Sequence, residues 1–167
     1  QGSESQTDIM FEVPIGLAIA GSNNDFLFVL NAADGTLQVG ALGDSLSELA
    51  FVPSPAFYFP LSIPAGPVPE EVAATADGRY VTILNWATGT LYLVDADALS
   101  IVESDGVPVE LLLGAPEARP IAVLASPLAC EAPCSGRVFV SLNGSGQVAE
   151  VEVVGGETVE SAMRVTR

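Results

Sequence analysis

The chain says one thing three times: an opening proline, a short apolar run, an alternating strand that closes on Leu-Asn, a glycine turn, and another alternating strand. The first copy runs PIGLAIA from Pro14, FLFVLN from Phe26 to Asn31, a turn at Asp34-Gly35, then TLQV. The second reads PEEVAAT from Pro69, RYVTILN from Arg79 to Asn85, a turn at Gly89, then TLYLVD. In the third, PIAVLAS from Pro120 precedes RVFVSLN from Arg137 to Asn143, a turn over Gly144 to Gly146, and QVAEVEV. Self-similarity at a fixed period is the signature of a repeat architecture, in which each copy is one supersecondary unit that buries its apolar face against its neighbours.

The runs alternate apolar and polar residues and are bounded by Gly, Asn, Asp, Ser and Pro, which is the pattern of half-buried strands joined by turns. Four strands per copy are expected, at 16–20, 26–30, 36–39 and 57–63, then 71–75, 80–84, 90–95 and 107–113, then 121–125, 138–142, 148–153 and 159–165. A further strand is expected at 9–13, and residues 42–50 offer the one candidate helical turn. The expected fold is all-β: three four-stranded β-propeller blades, spanning about 14–66, 69–114 and 120–165 of a single domain that covers 4–167. Gln1-Gly2-Ser3 reads as the remnant of a cleaved tag. The Leu-Asn landmarks stand 54 and 58 residues apart, more than the roughly 40 to 50 usual for a blade. Five prolines at 53, 55, 60, 64 and 67 forbid regular central pairing in the first copy and place an excursion on its outer edge. Phe51, Phe57, Tyr58 and Phe59 lie in that excursion and read as a cap on an open blade edge.

With 167 residues, 49 % of them hydrophobic, the chain can bury a core and is no disordered polymer. Its apolar runs are broken well before the roughly 20 residues that a membrane helix needs, so no helical membrane span is expected. Against 21 acidic residues stand 5 basic ones, all Arg, for a net charge of -16. Such a surface repels phosphate backbones and anionic bilayers, which excludes nucleic acid as a partner. It favours divalent cations or basic surfaces, and it also keeps an apolar chain soluble.

Cys130 and Cys134 sit in PLACEAPCSGR, the loop by which the third copy is longer than the others. Without histidine, two thiols cannot complete a structural zinc site. A loop-pinning disulfide is expected, and with it an oxidising, extracytoplasmic setting such as periplasm or cell surface. No cleavable signal peptide is visible, so the export signal is expected outside these residues.

The middle copy, PEEVAATADGRYVTILNWATGTLYLVDADAL, resembles the YVTN family of bacterial surface β-propeller repeats. Asp77-Gly78-Arg79 form the turn, Tyr80-Val81-Thr82 open the second strand, and Val94-Asp95 close the third. The likeness is best over 69–99 and partial elsewhere: the first copy lacks the Asp-Gly-Arg turn, and the third replaces it with the cysteine loop. What the resemblance implies is a blade at each copy and an extracytoplasmic setting, with no specific catalysis.

Three blades pose a closure problem, because a propeller ring usually has four to eight and each blade covers a face of the next. Two faces would stay bare, a larger apolar patch than a soluble monomer tolerates. A homodimer of two half-rings is the expected solution, since a two-fold operator lets the bare ends cover each other. A three-sheet β-prism, an arrangement found among sugar-binding lectins, is the alternative and needs no partner.

No histidine and no lysine means no Ser-His-Asp triad, no His-ligated metal and no Schiff base, and no phosphate loop is present. Carboxylate pairs at Asp95 with Asp97 and at Glu150 with Glu152 share strand faces, but nothing supports them as a catalytic pair. The chain is therefore expected not to be an enzyme. No cofactor is expected except calcium, for which Asp95, Asp97, Glu103 and Asp105 supply hard oxygen ligands without matching an EF-hand spacing. Trp86 follows the Leu-Asn landmark where the other copies carry Ala32 and Gly144, so it is expected on a turn, as an anchor for protein or sugar. The reading is a non-enzymatic protein-interaction or scaffold module of an exported bacterial protein that completes its propeller by self-association. The alternative is a carbohydrate-binding module in which Trp86 and Tyr92 stack on sugar.

Overall fold

The computed structural model of the chain describes residues 13–43, 50–52, 62–104, 107–108, 110–113, 119–128, 131, 134–154 and 163–165. Every regular element among them is a strand, and the strands form one antiparallel sheet per sequence copy. In the first blade β1 (Pro14–Ala20), β2 (Phe26–Asn31) and β3 (Thr36–Ala41) lie side by side. Its outermost position is shared by two short pieces, β4 (Ala50–Phe51) against the end of β3 and β5 (Ser62–Pro64) against its start.

The second blade repeats this plan with β6 (Pro69–Ala74), β7 (Tyr80–Asn85) and β8 (Thr90–Asp95). Its outer edge is again divided, between β9 (Ser100–Ile101) and β12 (Glu110–Leu112). Between those two pieces stands a small hairpin of β10 (Glu103–Ser104) and β11 (Val107–Pro108). Of the fourth strand expected at 57–63 only its end, in β5, falls among the described residues; that expected at 107–113 is divided, with β11 in the small hairpin and β12 on the blade edge. The third blade has β13 (Pro120–Ala125), β14 (Cys134–Leu142), β15 (Gln147–Val154) and β16 (Met163–Val165). The strand expected at 9–13 and the helical turn at 42–50 lie largely outside the described residues.

Each blade's inner hairpin turn spans four residues and ends in a left-handed glycine, Gly35, Gly89 or Gly146, with φ of 64°, 69° and 67°. This turn, not the Leu-Asn pair, sets the register. Pro14 faces Asn31 and Pro69 faces Asn85, whereas Pro120 faces Leu142. The third Leu-Asn landmark is therefore displaced by one residue, and Asn143 stands where Ala32 and Trp86 stand. The N–H of each of these three donates to the residue preceding the opening proline: Val13, Val68 and Arg119. The alignment of Trp86 with Gly144 is corrected accordingly. A one-residue bulge follows the opening proline in all three blades.

The blades stack face to face. One core joins Phe28, Leu30, Leu37 and Val39 of the first blade to Val72, Val81, Ile83 and Val94 of the second. Another joins Leu84, Leu91 and Leu93 of the second to Val123, Val138, Val140, Leu142 and Val151 of the third. Rows of residues across a blade alternate between its two faces, so the middle blade spends one set of rows on each neighbour. All six residues of β7 are buried as a result. At about 1.5 to 3 kcal/mol for each fully buried large aliphatic side chain, these two seams are what hold the sheets together. A prism would give each sheet one buried face and all three a common core. Two separate cores and a doubly buried middle sheet exclude it. The inner strands run side by side in the order β1, β6, β13 around the would-be axis.

Candidate functional site: two unmated blade faces

In each blade the residues pointing to the next blade come from one set of rows and those pointing back come from the other. The first blade's backward rows are Asn31 and Thr36, then Leu17, Val29 and Gln38, then Ile19, Leu27 and Gly40. Their counterparts in the second blade, Val72, Ile83, Tyr92, Ala74, Val81 and Val94, fill the first seam. Among the described residues nothing plays that part for the first blade. On the inner strand Leu17 is 65 % exposed and Ile19 49 %, where the second blade has the buried Val72 and the half-buried Ala74, whereas Val29, Asn31 and Gly40 of the same rows are buried. A groove of about 650 Å³ runs along this face, lined by Pro14, Ile15, Leu17, Leu27 and Val29, with Glu71 at one side.

The third blade's forward rows are Ala122, Ser141 and Val148, then Leu124, Phe139 and Glu150, then Arg137 and Glu152. Leu124 is 71 % exposed and Val148 61 %. Where the first two blades place Leu30 and Leu84, the third has Ser141; where they place Val39 and Leu93, it has Glu150. The Glu150 carboxylate lies 3.8 Å from the Arg137 guanidinium on the neighbouring strand.

Polar contacts reinforce the mated seams. Asn85, fully buried in the middle blade, donates its amide N–H to the Ala65 carbonyl at 3.4 Å, beyond the end of β5 in the first blade. Its Oδ1 accepts the Thr88 N–H and hydroxyl at 3.3 and 3.1 Å, closing its own turn. Glu71 Oε2 accepts the Val123 N–H at 2.8 Å across the second seam. The Gly21 N–H donates to the Gly78 carbonyl at 2.8 Å, joining the outer turns of the first two blades. Next to that contact, Asp97 accepts the Ser22 N–H at 2.8 Å and the Ser22 hydroxyl.

These contacts decide what the remaining sequence candidates do. Asp97 is held below the usual carboxylate range by its hydrogen bonds from the Ser22 hydroxyl and amide. Asp95 Oδ1 accepts the N–H groups of Asp97 and Ala98 at 3.0 and 2.8 Å and closes the turn after β8. Glu103 is exposed on the small rim hairpin, and Asp105 lies outside the described residues. Among the described residues no three acidic or sulfur side chains come together as a metal would require. Trp86 is 41 % exposed at the start of its turn, as expected. Tyr92 instead points into the first seam, its ring against Gly66, so the two aromatics do not form one stacking platform. Cys134 opens β14, while Cys130 lies outside the described residues, as do Phe57, Tyr58 and Phe59. Sequence reading missed Leu17, Ile19, Leu124 and Val148; strand alternation would have found them once the blade register was known.

Three stacked four-stranded sheets with inner strands around a common axis define a β-propeller segment of three blades. No protein-family model matches the chain, and no curated protein does. Solved structures are similar, among them two over most of this chain. A Bacteroides fragilis protein described as a candidate 6-phosphogluconolactonase matches with a TM-score of 0.57 at 14 % identity, over 89 % of this chain and 36 % of that one. Hydrazine synthase of Kuenenia stuttgartiensis matches with a TM-score of 0.50 at 15 % identity, over 92 % of this chain and 45 % of that one. The likeness is one of fold, and the chain spans less than half the length of either.

Proposed function

We propose that the chain is a non-enzymatic protein-interaction or scaffold module of an exported bacterial protein, akin to the YVTN-type surface propellers, whose unmated faces bind protein and complete a propeller. The carrying observation is the contrast within one fold: the middle blade's β7 is buried along its whole length, while Leu17 and Ile19 at one end, beside the buried Val29, and Leu124 and Val148 at the other stay exposed. Apolar rows of this kind are sites for another polypeptide surface. Supporting the non-enzymatic reading, the chain holds no histidine and no lysine, and the acids at Asp95 and Asp97 are engaged in turn and seam contacts. The expected Cys130–Cys134 disulfide supports export.

A photocrosslinker at position 17 tests the proposal. Adducts with polypeptide, whether a second copy or another protein, are the expected result; the absence of any polypeptide adduct overturns it. The second reading, sugar binding, rests on Trp86, which is 41 % exposed on a turn. Glycan-array binding that Trp86→Ala abolishes would favour that reading instead.

A further inference from the structure

The one-residue displacement of the third Leu-Asn landmark changes the chemistry of its asparagine. In the first two blades the asparagine sits inside the second strand, and both Asn31 and Asn85 are fully buried. The N–H that follows each is engaged, Ala32 donating to the Val13 carbonyl at 3.1 Å and Trp86 to the Val68 carbonyl at 3.0 Å. In the third blade Asn143 itself holds that donor position and gives its own N–H to the Arg119 carbonyl at 3.1 Å. The next N–H, that of Gly144, donates to none of the described residues. Asn143 is exposed, and its side-chain amide has no hydrogen-bond partner among them.

A free side-chain amide followed by a free backbone N–H on glycine is a reactive pair. Both groups belong to adjoining residues of one turn, so their encounter is intramolecular and the effective concentration of the nucleophile is high. Glycine has no Cβ to obstruct the approach. We propose that Asn143-Gly144 is a site of spontaneous covalent modification, at which Asn143 closes to a succinimide that water reopens to aspartate and isoaspartate. Hydroxide removes the Gly144 amide proton, the nitrogen attacks Cγ of Asn143, and the bond from Cγ to Nδ2 breaks, the leaving nitrogen taking a proton and departing as ammonia. Water then adds to one of the two ring carbonyls. Opening at Cγ leaves aspartate, whereas opening at the main-chain carbonyl leaves isoaspartate, with the chain running through Cβ and Cγ. One water enters and one ammonia leaves, and nothing is oxidised or reduced.

The other four asparagines each lack a requirement. Asn31 and Asn85 are buried with the following N–H engaged, and Asn85 also holds its amide on Ala65 and Thr88. After Asn23, the Asn24 N–H donates to the Gly21 carbonyl at 2.9 Å, and the Asn23 amide N–H is held by Asp25. Asn24 is exposed, but the residue after it is Asp25, whose side chain crowds the approach and whose charge opposes an anionic nitrogen beside it. The consequence at Asn143 falls on the turn that sets the register of the third blade. Across it Leu142 accepts the N–H groups of Ser145 and Gly146 at 3.2 and 2.9 Å, next to the Leu142 and Gln147 pair that begins the β14 and β15 ladder. Aspartate brings a negative charge to this turn, and isoaspartate also lengthens its main chain by one carbon.

Ageing of the full chain under native conditions tests it. During warm incubation at mildly alkaline pH, mass mapping should show the peptide that holds Asn143 gaining about one mass unit and separating into two products. One product should accept a methyl group from a protein isoaspartate methyltransferase. The rate should rise in proportion to hydroxide, and the peptides holding Asn31 and Asn85 should stay unchanged. Gly144 is not among the residues with positive φ, so Gly144→Ala should keep the wild-type circular dichroism while slowing the conversion by at least about 10-fold. A wild-type Asn143 peptide still unaltered when an unstructured Asn-Gly-Ser reference peptide is half converted overturns the proposal. Conversion that begins at another asparagine also overturns it, as does a wild-type rate in folded Gly144→Ala. None of these outcomes touches the interaction role, which rests on the blade faces and not on this turn.

Discussion

Asp97 accepts both the amide N–H and the hydroxyl of Ser22, so that the turn after the middle blade's third strand grips the outer turn of the first blade. The two residues stand 75 positions apart in the chain, and the pair closes the rim of the first seam. Because those hydrogen bonds stabilise the ionised form, the Asp97 carboxyl is held below its ordinary value. A depressed folded-state pKa contributes stability that is fully present above the unfolded value, near 4, and is lost as the pH falls through the folded one. Asp97→Ala should therefore lower Tm at neutral pH, with a deficit that stays constant down to about pH 4 and narrows below it. Thermal melts of both proteins across pH 2.5 to 7 check this. A deficit that grows on acidification would show that the contact acts through something other than the carboxylate.

Asn31 and Asn85 occupy the same row of successive blades and are both fully buried, yet only Asn85 has partners. Replacing Asn85 by Leu should destabilise the chain by about 1 to 3 kcal/mol, since the Ala65 carbonyl and the Thr88 turn lose their contacts. Asn31→Leu has the opposite sign. It installs the residue that the third blade carries in this row and removes an unpaired amide, and it should raise stability by about 1 kcal/mol in solutions dilute enough to be monomeric. Urea unfolding of the pair at equal dilution gives both values.

The opposite behaviour of these two asparagines also marks how far the sequence could be read. Repetition of the Pro to Leu-Asn pattern located all three blades, and the strands expected at 26–30, 80–84 and 90–95 are found at 26–31, 80–85 and 90–95. The two strands of the middle blade, 80–85 and 90–95, carry continuous apolar signals because both of their faces pack. The outer strands did not declare themselves: β4, β5, β9 and β12 are each two or three residues long and paired on one side only, too short for any periodicity. The third Leu-Asn landmark misled by one position because the turn glycine governs register, and a shift of one residue moves side chains to the other face. Of the candidate site residues, Trp86 was legible as an exposed turn residue. Tyr92 was not, because its seam contact with Gly66 comes from another blade.

Gly66 and Gly146 separate close approach from backbone geometry. Both have positive φ, at 87° and 67°, so any other residue bears a left-handed strain of about 1 to 2 kcal/mol. A methyl group on Gly146 meets nothing within 4 Å, and Gly146→Ala should lose only that amount. On Gly66 it would collide with the Asn85 amide nitrogen and press on the Tyr92 ring at 3.2 Å. Gly66→Ala should therefore lose a further 1 to 3 kcal/mol or so through overpacking of the first seam. Equal losses at both positions in chemical denaturation would mean that the seam yields freely at that point.

Cys134 begins β14 opposite Val154, where the register of the third blade's central pair shifts before Gly136. A bond from this position to Cys130 would pin the loop that leads into β14. Closing so small a loop removes chain entropy from the unfolded state worth about 2 kcal/mol. For a domain of this length, each kcal/mol moves Tm by roughly 2 to 4 °C, so reduction should lower Tm by about 4 to 8 °C. The Cys130→Ala/Cys134→Ala double variant should match the reduced protein and lose all response to reductant. Thiol titration of the unfolded, unreduced chain decides the chemistry directly: no reactive thiol is expected, and two would remove both the crosslink and the argument it supplies for an oxidising compartment.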